Sequence, residues 1–210
     1  MDLLSIASGS SGNCYYVGSE ETHLLVDAGV SGKKIESALN EIDRKPSDLN
    51  GILVTHEHID HVKGLGVMAR KHGIPIYTTG GTISEIKKMS SVGTIDDSLF
   101  HEIEPDEPFF INDLSIDASA IWHDAADPVC YSISDGKSKF SIATDMGNYD
   151  EYVVNKLKNS DIMVIEANHD IRMLQAGPYP YYLKQRILGN RGHLSNERSG
   201  QLIKALLNSH

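Results

Sequence analysis

Gly51-Ile52-Leu53-Val54-Thr55-His56-Glu57-His58-Ile59-Asp60-His61 decides how this chain is read. An apolar run passes directly into three histidines and an aspartate within six residues. The run predicts a short buried strand. His56 and His58 lie two apart, so in an extended segment their side chains face the same way. Asp60 falls where a helix would begin and is predicted to cap one from Val62 to about His72, with His61 on its first turn. Imidazole and carboxylate are ligands of zinc, manganese and iron. So many donors exceed what one tetrahedral ion with an open position takes, so the pattern points to two divalent metals.

Outward from that stretch, 210 residues with 40% apolar content suit one globular domain, 1–210, with an ample core. No apolar run is long enough to span a bilayer, and the Met1-Asp2-Leu3-Leu4 start has no basic region of a secretory signal. Cys14 and Cys130 belong to no C-x-x-C pair and read as reduced, buried thiols of a cytoplasmic protein. A net charge of −10 excludes a surface that coats nucleic acid generally. It does not exclude a nuclease, because bound cations add positive charge at the site. Charge is also uneven: Arg172, Lys184, Arg186, Arg191 and Arg198 face one acid, Glu197, between Ile171 and Gly200. That segment reads as a basic lobe for a localised anion contact.

Periodicity predicts strands over Leu3–Ala7, Cys14–Val17 and Thr22–Val26, the first two flanking a Ser8–Asn13 loop that could rim a site. Ser31 caps a predicted helix carrying Ile35, Ala38, Leu39 and Ile42 on one face. After the histidine stretch come a strand over Ile74–Thr78 and a helix from Gly80 to about Met89. Strands follow over Pro108–Ile111, Leu114–Trp122, Val129–Ser134 and Ser138–Ala143. Then come a helix over Tyr149–Lys158 and a buried strand over Asp161–Ile165. Two short helices are expected in 170–192, and Ser195 caps a last helix with Leu202, Ile203, Leu206 and Leu207 inward. Two β-rich halves with interspersed helices predict an α+β fold, an αββα sandwich.

The H-x-H-x-D-H pattern of residues 56–61 resembles the signature of the metallo-β-lactamase fold superfamily, which is itself an αββα sandwich. That resemblance implies roles elsewhere. His123, at a strand end, would complete the first metal's ligands with His56 and His58. Asp145, in Thr144-Asp145-Met146-Gly147, is similar to the bridging aspartate, and Asp60 with His61 would hold the second metal. His193, in Gly192-His193-Leu194-Ser195, resembles the Gly-His-Ser/Thr element of the tRNase Z and phosphodiesterase branches, where it acts on the scissile phosphate as general acid. Glu166 looks like the residue that orients it, with His169 and Asp170 on the same loop. The family's last second-metal histidine follows the final helix. His210 is poorly placed to substitute, so the chain reads as C-terminally truncated, with its last strands missing.

Nearly the whole chain further resembles the YycJ (WalJ, VicX) group. The resembling pieces include Ser8–Asn13, Thr55–His61, His123–Pro128, Thr144–Gly147 and Gly189–Ser195. Membership would imply 5′-to-3′ exonuclease action on DNA. The expected activity is therefore a two-metal phosphodiester hydrolysis (zinc or manganese, with iron also suitable) on a nucleic-acid substrate, with Asp60, His193 and Glu166 as catalytic residues. The alternatives are a small-molecule phosphodiesterase, thioesterase or lactonase of the same fold, and a non-catalytic metal-binding remnant.

Overall fold

Alternating side chains build the layers of the protein. In the computed structural model, which describes residues 1–207, Tyr15 and Val17 of one strand enter one apolar cluster while Tyr16 between them enters another. Leu24 and Val26 divide from Leu25 in the same way. This period-two split makes a sheet buried on both faces. That sheet has six strands in sequence order: β1 (Asp2–Ala7), β2 (Cys14–Gly18), β3 (His23–Val26), β4 (Gly51–Leu53), β5 (Ile76–Thr78) and β6 (Phe100–Glu102). A five-stranded sheet runs β11 (Ile162–Ile165), β10 (Lys139–Ala143), β9 (Val129–Ser134), β8 (Leu114–Ala120), β7 (Phe109–Ile111).

The central core joins the sheets, with Leu24, Val26 and Leu53 against Ile116, Tyr131, Ile133 and Ile142. On the outer face of the first sheet, Leu25, Ile52 and Ile76 cluster with Ile35 and Leu39 of α1 (Gly32–Glu41) and with Leu65 and Met68 of α3 (Leu65–His72). On the outer face of the second, Cys130 and Ala143 cluster with Val153 and Leu157 of α5 (Glu151–Leu157) and Leu202 and Leu206 of α8 (Asn196–Leu207). The order helix, sheet, sheet, helix is the expected αββα sandwich. No helix among the described residues is long and apolar enough to cross a membrane. His210 lies outside the described residues.

Several local readings are corrected. The first strand of the histidine stretch stops at Leu53, so His56 and His58 sit on the loop after β4. Asp60 is not a cap: His58 holds that position, and Asp60 lies inside the short α2 (Ile59–Val62). The helix breaks before α3 at Gly64, whose N–H donates to the Ala28 carbonyl (2.8 Å) on the segment after β3, where a Cβ would stand 2.1 Å from the Val30 carbonyl oxygen. β11 is not buried: it is an edge strand with one neighbour, and Ile162 is 47% exposed. In α8 the inward face is Ser199, Leu202 and Leu206, whereas Ile203 and Leu207 are exposed. Strand β6 and the shorter α4 (Gly80–Ile86) complete the differences.

Candidate metal centre

The loops at one end of both sheets bring the histidine stretch to a focus. Its loop is held from behind by Asp27, fully buried directly after β3. The Asp27 carboxylate accepts from Thr55 N (2.8 Å) and Thr55 Oγ1 (2.9 Å) and lies 2.8 Å from His61 Nδ1. Asn13 N donates to the Asp60 carbonyl (2.7 Å), and Gly29 must be glycine, because a Cβ there would stand 1.6 Å from that carbonyl oxygen.

Ligand atoms of His56, His58 and His123 lie within 4.8 Å of one another, as do those of His56, His61 and Asp145. A further set, Asp145, Glu166 and His193, meets the same limit. His56 and Asp145 thus each belong to two sets, and the three sets form one continuous cluster. Asp60 stands at its margin, its Oδ2 3.7 Å from His61 Nε2. Asp145 adopts a left-handed backbone, φ 52°, just beyond β10, and Asp27 does the same beyond β3 at φ 61°. Both follow an apolar strand and stand two residues before a glycine, Gly29 and Gly147.

Two clusters of histidine with carboxylate are what a divalent cation binds, and the tautomers suit one. His123 Nδ1 lies 3.1 Å from the Gly192 carbonyl, so it donates there and leaves Nε2 a lone pair. His61 is set the same way by Asp27. The buried His56 Nε2 has no hydrogen-bond partner among the described residues, an orphan acceptor facing its histidine neighbours.

Charge divides the cluster. Burial, followed by the nearby His61, pushes the His56 imidazole well below its ordinary pKa, and burial brings His123 down to about 4. Both are therefore neutral donors of a lone pair. Burial opposes the charged forms of His61, Asp145 and His193, but their mutual contacts prevail. Asp27 and Asp145 hold His61 up at about 10, and hydrogen bonds from His193 and His61 hold Asp145 well below the usual carboxylate range. His61 Nε2 lies 2.7 Å from Asp145 Oδ2. The cluster thus stabilises positive charge between His61 and Asp145, which a divalent ion supplies on displacing the proton.

His193 is fixed by two acids: Nδ1 lies 2.6 Å from Glu166 Oε1 and 3.2 Å from Asp145 Oδ1. Glu166 is itself anchored, accepting through Oε2 from Met146 N (3.0 Å) and Leu194 N (3.1 Å). Burial opposes it, but Asp145 and Glu166 hold His193 up at about 10. His169 lies on the Glu166 loop, its carbonyl accepting from Asn196 N, and neither ring nitrogen has a partner among the described residues. Asp170 caps α6 (Ile171–Ala176), accepting from Met173 N (2.9 Å).

Three site neighbours went unrecognised from the sequence. Asp27 had a usable signal, since Asp27-Ala28-Gly29 after a strand repeats the Asp-x-Gly pattern of Asp145-Met146-Gly147. Asn13, buried in the small-residue loop, places Nδ2 3.0 Å from His61 Nε2. Asp124 sits beside the first histidine set, its Oδ1 3.4 Å from His123 Nε2, while its Oδ2 accepts from Arg186 Nε. Only the fold shows the latter two.

A family model described as a beta-lactamase superfamily domain matches residues 22–209. Among curated proteins, "Exodeoxyribonuclease WalJ" of Streptococcus pneumoniae (strain D39) is 43% identical over 204 residues, covering 97% of this chain and 76% of that protein. "Exodeoxyribonuclease YycJ" of Bacillus anthracis is 38% identical over 192 residues, covering 91% and 72% respectively. Among solved structures, the short form of human tRNase Z superposes with a TM-score of 0.73 at 17% identity, covering 99% of this chain and 89% of that one.

Proposed function

The chain belongs to the beta-lactamase superfamily, among the WalJ- and YycJ-like proteins, and on that premise we propose that it is a dinuclear-metal hydrolase of DNA phosphodiester bonds, acting as a 5′-to-3′ exonuclease. The observation that carries the reading is the continuity of the three donor sets through His56 and Asp145. His56, His58 and His123 would hold one divalent ion, His61 and Asp60 would hold the other, and Asp145 would be the carboxylate shared between them. Zinc or manganese suits these donors. Divalent ions bound there would supply acidification of a water and neutralisation of charge on the phosphoryl oxygens.

The remaining work falls to the protein's own groups. His193, gripped at Nδ1 by Glu166 and Asp145, presents Nε2 as a charged donor to the departing oxygen. Glu166 fixes that ring's direction through its two backbone anchors. The basic residues between Ile171 and Gly200 position the phosphate backbone, in a chain otherwise acidic. A small-ester hydrolase would need neither the charged His193 donor nor this basic lobe.

The test is hydrolysis of 5′-labelled single- and double-stranded DNA by protein loaded with manganese or zinc. His193→Ala should lower kcat by about 10²- to 10⁴-fold while metal content stays at the wild-type stoichiometry. Undiminished DNA cleavage by that variant, or cleavage of small esters alone, would refute the assignment.

A further inference from the structure

The segment after the Glu166 loop exposes rings that the metal cluster does not use. Tyr179, Tyr181 and Tyr182 are 53%, 76% and 74% exposed, and Met173 is 75% exposed. They lie on α6, on α7 (Tyr181–Leu188) and on the short link between them, and α7 has no buried residue. Its Leu183, Ile187 and Leu188 are half-buried and anchor the helix, but the solvent-facing aromatics at its N-terminal end are not explained by packing. The backbone that carries the rings is restricted. Pro178 and Pro180 bracket Tyr179, and Pro180 is the N-terminal cap residue of α7.

Position and charge select the occupant. Tyr182 and Arg186 are four residues apart, so they share one face of α7 about 6 Å apart along its axis. Arg186 donates to Asp124, the neighbour of His123. The aromatic end of α7 therefore stands one helical turn from a residue tied to the metal cluster. Arg172, Lys184 and Arg191 lie in the same lobe, and none is paired with a carboxylate among the described residues. Exposed rings interleaved with such cations beside a phosphodiester site match the chemistry of single-stranded nucleic acid, whose bases stack and whose phosphates pair with cations.

We propose that the α6–α7 lobe is a stacking platform on which Tyr181 and Tyr182 hold bases of a single DNA strand a few nucleotides from the metal cluster, with Arg172 and Arg191 on its phosphates. This rests on the reading of the site as a DNA phosphodiesterase and narrows its substrate to a strand with unpaired bases.

Binding of a fluorescent oligothymidylate is measured by anisotropy with EDTA present, so that cleavage cannot interfere. Cleavage of that oligonucleotide and of bis(4-nitrophenyl) phosphate is measured with manganese. Base–aromatic stacking at its lower bound gives about 5-fold per ring, so Tyr181→Ala with Tyr182→Ala should weaken binding about 30-fold. KM for the oligonucleotide should rise in step, with kcat and small-ester hydrolysis unchanged. The paired Tyr→Phe variant should bind as wild type does, because the ring face is retained. Replacing Arg172 and Arg191 by Gln should flatten the salt dependence of log K by about 1.4, at about 0.7 per phosphate on a single strand.

Wild-type affinity in the double alanine variant overturns the proposal. So does loss of self-association in that variant with DNA binding intact, which would assign the rings to a second copy of the chain. Tyrosine-dependent binding without any DNA cleavage would leave the platform standing and refute the nuclease reading instead.

Discussion

Replacing Asp27 by Asn tests whether the carboxylate behind His61 sets that ring's metal-binding form. The substitution keeps shape in a position with no exposure and removes one charge. The new side-chain carbonyl can still accept from Thr55 N, but its amide must then face His61 Nδ1, now 2.8 Å from a carboxylate oxygen. Donating there, it sends the imidazole proton to Nε2, the nitrogen that faces Asp145 at 2.7 Å. An N–H then stands where a cation needs a lone pair. Loss of such an orienting partner typically costs 10- to 100-fold in metal affinity, about 1.4 to 2.7 kcal/mol. The metal-free fold loses one charge-assisted hydrogen bond, about 2 kcal/mol, which for a chain of this size lowers Tm by about 4–8 °C. Calorimetric titration of metal-depleted protein with manganese or zinc reads the first quantity, and thermal unfolding the second. If Asp27→Asn binds both ions with wild-type affinity, the tautomer reasoning is wrong.

The metal-free protein should have a bell-shaped stability profile with pH. His123, with its folded pKa at about 4, contributes stability that is lost as pH falls from about 6.5 towards 4. His61 and His193, held at about 10, contribute stability fully present below about 6.5 and lost as pH rises towards 10. A Tm that rises steadily to pH 10 would contradict the assignment of His61 and His193, and one that falls steadily from pH 4 would contradict that of His123. Burial raises both thiols, Cys130 up to about 12, so Ellman's reagent should titrate neither Cys14 nor Cys130 until the protein is unfolded. Leu202→Ala should cost about 2–5 kcal/mol in denaturant unfolding, whereas Leu207→Ala, at a position 61% exposed, should change little. Gly29→Ala, whose Cβ would press on the Asp60 carbonyl, should express poorly or bind metal at reduced stoichiometry.

The fold was legible wherever burial imposes a period. β2 and β3 divide their side chains between two cores, so Tyr15 and Tyr16 could only come from a strand covered on both sides. Periodicity was silent where the partner is distant. Whether Ile162 is covered depends on the number of neighbours β11 has, and its apolar run looks the same in the middle of a sheet as at its edge. The α2–α3 break was unreadable for a similar reason: Gly64 matters because the Val30 carbonyl approaches it, a contact between segments far apart in the chain.

The site divides along the same line. His56, His58, Asp60 and His61 are neighbours in sequence, so their spacing alone displayed a candidate ligand set. His123, Asp145, His193 and Glu166 share no spacing, and only a family resemblance connected them before the fold brought them within reach. Asp27 marks the boundary between these cases. Its Asp-x-Gly pattern after a strand is that of Asp145, and both residues take the left-handed turn that swings a carboxylate off a strand end. One turns its acid towards the cluster and the other towards the back of His61. Local sequence specifies the turn, whereas the strand that carries it specifies the direction. The same Asp-x-Gly pattern therefore yields a candidate ligand in one sheet and a ligand's support in the other.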